Sequence, residues 1–260
     1  MTTTTTSLSS NTPALDARLD GKAYLVTGGT TGMGLAAAEQ LAREGARVFI
    51  TGRTPQTLAD AAQRLGDRGV ALENDTASLK ALPELIRSIR AHVDHLDGVF
   101  INAGVATFQP LENVTPKEFD ELFTINVRGA FFTLQALLPL LREGSSVVFN
   151  SSIAGRLAMS GGSVYAATKA ALTSLGRSLA VELAPRGIRV NVLSPGPVTT
   201  PILAKAGVDA TMQENLAAGT LLKRWGRPEE VARLVRFLLT DDSSFVVGEE
   251  IVIDGGYQLT

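Results

Sequence analysis

Short apolar segments rich in β-branched residues alternate with longer helical segments along almost the whole chain. The apolar segments are hydrophobic at nearly every position, which is typical of strands that are covered on both faces. This alternation predicts an α/β fold with a doubly wound parallel sheet and helices on both faces. The seven expected strands cover residues 23–27, 48–51, 70–73, 98–101, 147–150, 189–193 and 251–253.

Helix signals occupy the segments between these strands. Thr54 is a predicted N-cap residue before a proline, and Thr115 to Glu118 reads as a capping box. The least regular stretch, residues 199–227, follows a strand at the sheet edge where open α/β folds bind their ligands. The expected helices cover residues 33–44, 55–65, 79–92, 116–141, 164–183 and 228–239.

No break in composition divides the 260 residues, so we expect residues 21–260 to form a single domain. Residues 1–20 are polar and open with the threonine run Thr2–Thr6, which favours a disordered N-terminal tail. The longest apolar stretch, residues 130–141, is far shorter than the roughly 20 residues that span a bilayer. No signal peptide is visible either, so we expect a cytoplasmic protein with no membrane partner.

The charged and sulfur-containing residues exclude several classes of function. A net charge of −2 and a pI of about 5.8 give no basic excess for binding nucleic acid. Cysteine is absent, which excludes disulfide scaffolds, thiolate metal sites and cysteine nucleophiles. With only His92 and His95 available, a multi-histidine metal cage cannot form, and we expect no metal.

A glycine-rich loop joins the first predicted strand to the first predicted helix and reads TGGTTGMG over residues 27–34. Glycines allow a sharp turn and a close approach of the backbone to a pyrophosphate, which the helix N-terminus then binds. The alternative is a glycine-rich turn without a ligand. The Gly-x-x-x-Gly-x-Gly spacing is more specific than a loose glycine motif.

Tyr165 and Lys169 lie four residues apart at the start of a predicted helix, so they share one face. A lysine charge near a phenol favours the phenolate, and such a pair can exchange a proton with a carbonyl or alcohol oxygen. The alternative is an amphipathic helix with a solvated lysine. Ser151 and Ser152 close the preceding strand, where a hydroxyl can face the cleft and bind a substrate oxygen or simply form a turn.

Together these motifs resemble the short-chain dehydrogenase/reductase superfamily, in its compact branch. The resemblance covers residues 21–257 and implies a Rossmann-like, single-domain fold. The motifs that carry it, in order, are residues 27–34, Asp75, Asn102-Ala103-Gly104, Asn126-Val127-Arg128-Gly129, Ser152, Tyr165, Lys169, residues 194–200 and Asp254-Gly255-Gly256.

The resemblance implies a catalytic role for four residues. The family's serine lies thirteen residues before its tyrosine, which selects Ser152 over Ser151. Ser152 would polarise the substrate carbonyl, and Tyr165 would be the general acid in reduction and the base in oxidation. Lys169 would lower the tyrosine pKa and hold the nicotinamide ribose. Asn126 would fix a water that links Lys169 to solvent.

The resemblance also implies a set of cofactor-binding residues along the cleft. Asp75 would meet the adenine amino group, whereas Val198 and Thr200 would contact the nicotinamide carboxamide. The full set is Gly28, Thr30, Thr31, Gly32, Met33, Gly34, Arg53, Thr54, Asp75, Asn102, Ala103, Gly104, Tyr165, Lys169, Pro195, Gly196, Val198 and Thr200.

The end of the second strand predicts NADP(H) as the preferred cofactor. NAD-specific relatives place an aspartate where Gly52 stands, to bind the ribose 2′-hydroxyl. Arg53 follows at once, and a guanidinium suits a 2′-phosphate in charge and in donor geometry. The alternative is that Arg53 projects into solvent.

The expected reaction is hydride transfer between NADP(H) and a small ketone or secondary alcohol. The expected pocket wall is mostly apolar, which favours a hydrophobic substrate; it comprises Ile153, Ala154, Met159, Val164 and loop residues from 202 to 222. Trp225 is expected to pack beneath that loop rather than to touch it. Two other functions stay open, a 3-oxoacyl-[acyl-carrier-protein] reductase and a non-catalytic dinucleotide sensor or scaffold.

A basic patch of Arg177, Arg186 and Arg189 would serve the acyl-carrier reading, although solvated charges are the simpler interpretation. We also expect a homotetramer. The segments 116–141 and 164–183 carry more apolar surface than one sheet face needs, and in the resembled family the final strand packs at a second interface.

Overall fold

The computed structural model describes residues 19–202 and 210–259. Residues 1–18 of the expected tail lie outside the described residues. Leu19 and Asp20, which the sequence assigned to that tail, belong to the folded domain. Leu19 is buried and its amide donates to the Glu44 carbonyl at 2.7 Å, while Asp20 pairs with Arg68 at 2.9 Å.

The described strands form one sheet of seven, as predicted, and all neighbouring strands run parallel. Their spatial order is 3-2-1-4-5-6-7, which reverses direction at the first strand, as doubly wound folds require. The strands are β1 (Ala23–Val26), β2 (Arg47–Gly52), β3 (Gly69–Glu73), β4 (Leu96–Ile101), β5 (Leu141–Asn150), β6 (Arg189–Pro195) and β7 (Glu250–Ile253).

Helices connect the strands and cover both faces of the sheet. The described helices are α1 (Gly32–Arg43), α2 (Pro55–Leu65), α3 (Leu82–Arg90), α4 (Pro116–Phe123), α5 (Ala130–Leu137), α6 (Ser163–Leu183), α7 (Ala210–Gly219) and α8 (Pro228–Leu239). The capping box at the start of α4 is confirmed, since the Glu118 amide donates to Thr115 Oγ1 at 3.2 Å and the Thr115 amide donates to Glu118 at 3.0 Å.

Three helix predictions were wrong in detail. The single long helix from residue 116 is divided by a π-helical segment, Thr124–Gly129, which holds Asn126. The stretch 199–227, expected to be the least regular, contains the ten-residue helix α7. Thr54 occupies the N-cap position of α2, but its side chain makes no capping hydrogen bond.

Two apolar clusters lie on opposite faces of the sheet, because successive side chains of a strand point to opposite sides. Leu25 of β1 belongs to the cluster beneath α3, α5 and α6, whereas its neighbour Val26 belongs to the cluster beneath α1 and α8. The sheet is therefore buried on both faces, and the carboxyl ends of its strands form the edge on which a ligand can sit.

Across the described residues, no helix combines the length and apolarity needed to cross a bilayer. The same part of the chain contains no cluster of histidine, aspartate and glutamate side chains suited to a metal ion.

Candidate active site

A cavity of about 630 Å³ opens at the carboxyl edge of the sheet. Every residue that the sequence predicted to bind a cofactor lines it, from the glycine loop to Thr200. Ser152, Tyr165 and Lys169 line it as well, whereas Asn126 lies behind its wall. The fold therefore brings predicted residues from seven separate segments of the chain into one cleft.

The glycine loop closes one end of this cavity. Gly28 has a φ of +61°, and a Cβ there would lie 2.9 Å from Ala103 Cα, so the position accepts only glycine without strain. Thr31 is the N-cap residue of α1 and makes no capping hydrogen bond with its side chain. The first amides of α1 are thus free of a side-chain cap at the point where an anion binds a helix N-terminus.

The hydroxyl of Thr27 joins the glycine loop to the end of β4. It accepts hydrogen bonds from the amides of Asn102 and Ala103 at 2.8 Å and 3.0 Å. The Asn102 side chain donates in turn to the carbonyls of Thr27 and Gly28 at 2.9 Å and 3.1 Å. The sequence pattern placed Thr27 within the loop motif but gave no sign of these contacts, which join residues 75 positions apart.

A second amide extends this network toward the other end of the cleft. Asn150 Nδ2 donates to Asn102 Oδ1 at 2.9 Å, and the Asn150 carbonyl accepts from Lys169 Nζ at 2.9 Å. Asn102 is the acceptor in its bond with Asn150, because its own side-chain nitrogen already donates to the glycine loop. The predicted lysine and the glycine loop are therefore joined through the backbone carbonyl and side chain of Asn150 and the side chain of Asn102.

At the end of the cavity near Asp75, several polar groups have hydrogen-bonding capacity that the described residues do not use. Asp75 Oδ1 accepts from the Ala77 amide at 3.0 Å, and this turn leaves its second oxygen for another donor. Arg53 is exposed, and within the described part of the chain its guanidinium has no hydrogen-bond or ion-pair partner. Asn74 is 4% exposed, and neither polar atom of its side chain has a partner among these residues.

Tyr165 and Lys169 extend from the first turns of α6, with the lysine nitrogen 5.6 Å from the centre of the tyrosine ring. Phe108 packs edge-on against the tyrosine, with ring centres 5.6 Å apart. Ser152 lies two residues after β5, and its Oγ accepts from the Ala154 amide at 3.1 Å. The three predicted groups are thus presented by two elements that meet at the cavity.

Burial dominates the titration of this cluster. It raises the pKa of Tyr165 above the ordinary value, although a hydrogen bond with Ser152 acts in the opposite direction. Burial also lowers the pKa of Lys169 to about 8. Lys169 is not among the causes of the shift at Tyr165, so its expected effect on the tyrosine pKa stays a prediction.

Asn126 is fully buried in the π-helical segment. Its Oδ1 accepts from the Val105 amide at 2.8 Å, and its Nδ2 donates to the Val105 carbonyl at 2.9 Å and to Thr168 Oγ1 at 3.1 Å. A Cβ on Gly104 would lie 3.1 Å from Asn126 Oδ1 and 3.7 Å from Lys169 Nζ. Asn126 therefore braces the segment after β4 against α6, next to the lysine.

The wall beyond Tyr165 is largely apolar. Ile153, Ala154, Met159, Ile202 and Leu216 line the cavity as expected. The expected wall residue Val164 lines a separate, much smaller cavity instead.

Trp225 lines the main cavity, a position that the sequence did not predict. Its indole nitrogen donates to the carbonyl of Gln213 in α7 at 3.1 Å, so the ring is fixed to this helix as well. Sequence alone gave no reason to place the ring in the cavity, because the contact joins residues twelve positions apart in the least regular part of the chain.

Comparison with known proteins assigns this architecture to a family. Residues 28–258 match the family model described as Enoyl-(Acyl carrier protein) reductase. A crystal structure of a short-chain dehydrogenase/reductase from Brucella melitensis is 30% identical, with a TM-score of 0.88 over 93% of this chain and 98% of its own. The chain belongs to the short-chain dehydrogenase/reductase (SDR) superfamily.

Three further SDR-type matches give the range of its relatives. Oxidoreductase asL5 of Sarocladium schorii is 40% identical over 92% of this chain and 96% of its own length. Cyclopentanol dehydrogenase of Comamonas sp. is 37% identical over 92% and 98%. The Pseudomonas aeruginosa RhlG/NADP active-site complex is 34% identical, with a TM-score of 0.87 over 94% and 99%.

SDR proteins bind a nicotinamide dinucleotide, and this chain is an oxidoreductase of that type. The site fits such a group on its own observations. The glycine loop packs closely on Ala103 at Gly28, α1 has no side-chain cap, and the polar atoms of Asn74 have no partner in the described structure. An anionic, hydroxyl-rich ligand suits these donors and acceptors.

Proposed function

We propose that this SDR protein is an NADP(H)-dependent oxidoreductase that interconverts a ketone and a secondary alcohol. One observation carries the proposal: Ser152, Tyr165 and Lys169 meet at one end of a cavity whose other end is formed by the glycine loop and Arg53. When bound, the nicotinamide cofactor supplies or accepts the hydride.

Tyr165 is the group that moves the proton in this proposal. Its raised pKa keeps the phenol protonated at neutral pH, and this is the form that donates a proton to a carbonyl oxygen during reduction. In oxidation the same oxygen takes the proton from the alcohol. The edge-on contact with Phe108 restricts the orientation of the ring, so the hydroxyl is held toward the cleft.

Ser152 polarises the substrate carbonyl. Its Oγ already accepts from the Ala154 amide, which leaves the hydroxyl hydrogen free to be donated to Tyr165 or to a substrate oxygen. A donor fixed before the reaction stabilises charge that develops on that oxygen.

Lys169 holds the ribose hydroxyls, and its charge favours the phenolate of Tyr165 in oxidation. The bond from its Nζ to the Asn150 carbonyl fixes the side chain at the cleft. Asn126 keeps the neighbouring backbone of Val105 in place and lies where it can hold a water beside the lysine. Both are proposed as parts of a proton path from Tyr165.

The preference for NADP(H) rests on the end of β2. Gly52 offers no carboxylate to repel a 2′-phosphate, and the guanidinium of Arg53, which has no partner among the described residues, attracts one. The similarity to a protein whose crystal structure is an NADP complex supports this choice.

The substrate class that we propose is a hydrophobic ketone or alcohol, cyclic or aromatic. The wall beyond Tyr165 is built from Phe108, Met159, Leu216 and Trp225, which offer apolar and aromatic surface. A relative that is 37% identical is a cyclopentanol dehydrogenase, and one that is 34% identical is a hydroxynaphthalene reductase.

The acyl-carrier-protein reading has less support from the described surface. Arg177 pairs with Glu250, whereas Arg186 and Arg189 donate to backbone carbonyls. These guanidiniums are engaged within the chain rather than presented as a patch. A sensor without catalysis is disfavoured because Tyr165 and Lys169 are both retained at the cavity.

We also propose that the enzyme is a homotetramer. Phe245 is fully exposed, and Val181 is 77% exposed on the last turns of α6. Gly248 lies against Ala180, so the segment that follows Phe245 packs on the end of α6. Burial between copies in a closed, symmetric assembly would remove Phe245 and Val181 from water.

Turnover with a panel of carbonyl compounds tests the proposed function. Cyclopentanone, 2-tetralone and acetoacetyl-CoA are offered with NADPH and with NADH, and cofactor absorbance is followed. We expect the cyclic ketones to be reduced with NADPH at the higher kcat/KM. Preference for the thioester would favour the acyl-carrier function, and cofactor binding without turnover of any carbonyl would favour the sensor.

A further inference from the structure

Glu250 is a buried carboxylate that the proposed chemistry does not use. Its side chain is 2% exposed, although it lies on the edge strand β7. Three side chains contact it. Arg156 Nη2 donates at 2.7 Å and Arg177 Nη2 at 3.3 Å to one oxygen, while Ser194 Oγ donates to the other at 2.7 Å.

Two of these partners border the proposed active site. Arg156 closes the short helical turn Ile153–Gly155, which begins at Ser152. Ser194 immediately precedes Pro195 and Gly196, which line the cofactor cavity. One carboxylate therefore ties the serine-bearing turn to the end of β6.

The turn after Ser152 is compact, so a displacement of Arg156 at its end would also displace Ser152 at its start. The amides of Arg156 and Leu157 both donate to the Ile153 carbonyl, at 2.9 Å and 3.1 Å. A Cβ on Gly155 would lie 2.8 Å from the Ala170 amide nitrogen, so the turn packs directly on the backbone of α6.

Arg156 also begins the segment that forms part of the substrate wall. Leu157, Ala158 and Met159 line the cavity. The far end of this segment is held by the Gly161 carbonyl, which accepts from the Gln109 amide at 2.8 Å. The near end is held by the ion pair of Arg156 with Glu250.

We propose that Glu250 is a positioning residue which, through Arg156, fixes Ser152 and the adjacent substrate wall for hydride transfer. The inference rests on the proposed function, since it assigns Ser152 a role at the carbonyl. Arg177 binds the same carboxylate from α6, but it has no contact with the turn among the contacts of the described structure.

The carboxylate is held in its ionised form. Burial raises the pKa of Glu250, but the hydrogen bonds from Arg156 and Ser194 and the charges of the two arginines outweigh it and leave the pKa below its usual value. The ion pair between Glu250 and Arg156 is therefore present at neutral pH, and a substitution is needed to remove it.

The two arginines provide a matched test, because each substitution removes one cation from one carboxylate. Arg156→Gln should lower kcat for cyclopentanone reduction about ten-fold and leave the dissociation constant of NADPH within about two-fold. Arg177→Gln should keep both values near those of the wild type. Arg156→Lys, which restores the charge, should recover part of the lost kcat.

A cluster that only stabilises β7 predicts a different outcome. Both glutamine variants would then lower the melting temperature alike and leave kcat unchanged, and this result would overturn the proposal. Arg156 is exposed, so its variant is expected to fold.

Hydrogen exchange keeps the test independent of turnover. The amides of Ala154, Arg156 and Leu157 should exchange faster in Arg156→Gln than in Arg177→Gln. Equal exchange in the two variants would contradict the tie itself. A wild-type enzyme without carbonyl reductase activity would instead remove the proposed function, and exchange alone would then decide whether Glu250 holds the turn.

Discussion

The side chain of Thr30 fills the space into which a side chain at Gly52 would extend. A Cβ on Gly52 would lie 2.6 Å from Thr30 Cγ2 and 3.2 Å from Thr30 Oγ1. Real Cβ atoms do not approach a methyl group so closely, so any larger residue at position 52 requires Thr30 to move. The glycine at the end of β2 and the threonine of the glycine loop therefore belong together.

This packing predicts how cofactor preference responds to substitution. Gly52→Asp with Arg53→Ala should shift kcat/KM toward NADH, because the new carboxylate repels a 2′-phosphate and the arginine is gone. The shift should be incomplete while Thr30 blocks the aspartate, and adding Thr30→Gly should enlarge it about ten-fold or more. Steady-state kinetics with both cofactors measures each ratio.

Thr31→Gly is the control for this series, since Thr31 is exposed and does not face Gly52. It should not enlarge the shift. A complete change to NADH in the variant that keeps Thr30 would contradict the steric argument. A wild-type enzyme with a higher kcat/KM for NADH than for NADPH would contradict the proposed cofactor.

Tyr165→Phe should lower kcat by about 10²–10⁴-fold, because only the phenol oxygen carries the proton in the proposed reaction. The ring and its contact with Phe108 are retained, so NADPH should bind with nearly unchanged affinity. Tyr24→Phe makes the same change on a buried strand outside the cavity and should keep wild-type kcat. More than a few per cent of activity in Tyr165→Phe would refute the assignment.

Lys169 should reduce the stability of the ligand-free enzyme at neutral pH. Burial lowers its pKa to about 8, so the folded state binds its proton less tightly than the unfolded chain does. The destabilisation is complete below pH 8 and disappears as pH rises toward the ordinary lysine value near 10.5. Lys169→Met should therefore raise the melting temperature at pH 7 by about a few degrees while abolishing turnover.

Melting curves of both proteins between pH 7 and 10 provide the check. The difference in melting temperature between Lys169→Met and the wild type should become smaller as the pH increases. A difference that stays constant over this range would show that the lysine charge is not its source.

Asn126→Ala should destabilise the protein by about 2–4 kcal/mol, because it leaves the half-buried amide and carbonyl of Val105 without the partners that Asn126 provides. Thr168→Val removes one of the three hydrogen bonds of Asn126 and the bond from Thr168 to the Tyr165 carbonyl. It should lower the free energy of unfolding by about 1 kcal/mol. Urea unfolding compares the two. An equal or smaller loss in Asn126→Ala would argue against its bracing role.

Phe245→Asp should reduce the mass of the particle in solution if its exposed ring is buried between copies. A carboxylate at the centre of an apolar contact is costly to desolvate, whereas Phe245→Leu keeps the surface apolar and should keep the assembly. Light scattering at micromolar concentration distinguishes the two. A monomeric wild-type protein would refute the proposed tetramer.

The helices and strands could be predicted well because the sequence signals for each of them lie within a few neighbouring residues. The proline at the first position of α2 indicated its start, and both α2 and α8 have the bounds that the sequence indicated. The π-helical segment at Asn126 was missed, since its residues continue an ordinary helical pattern and the extra residue is accommodated by tertiary contacts with Val105 and Thr168.

In the candidate site, too, local features could be predicted from the sequence and long-range contacts could not. Its motif residues could be found from spacing, and they do line one cavity. The contacts that hold them could not be found, because they join distant segments. Thr27 with Asn102, Asn150 with Lys169 and Arg156 with Glu250 are pairs of this kind.

The strand order also bears on how the protein is made. β1 lies between β2 and β4, so the four strands around the glycine loop have all been synthesised once residue 101 is complete. β4 then has an unpaired edge until β5, about 40 residues later, leaves the ribosome, which takes a few seconds at ordinary elongation rates. During that interval β1 to β4 and the glycine loop can already be assembled, whereas Ser152, Tyr165 and Lys169 have not yet been synthesised. The unpaired edge of β4 is the part of the nascent chain that a chaperone would need to cover.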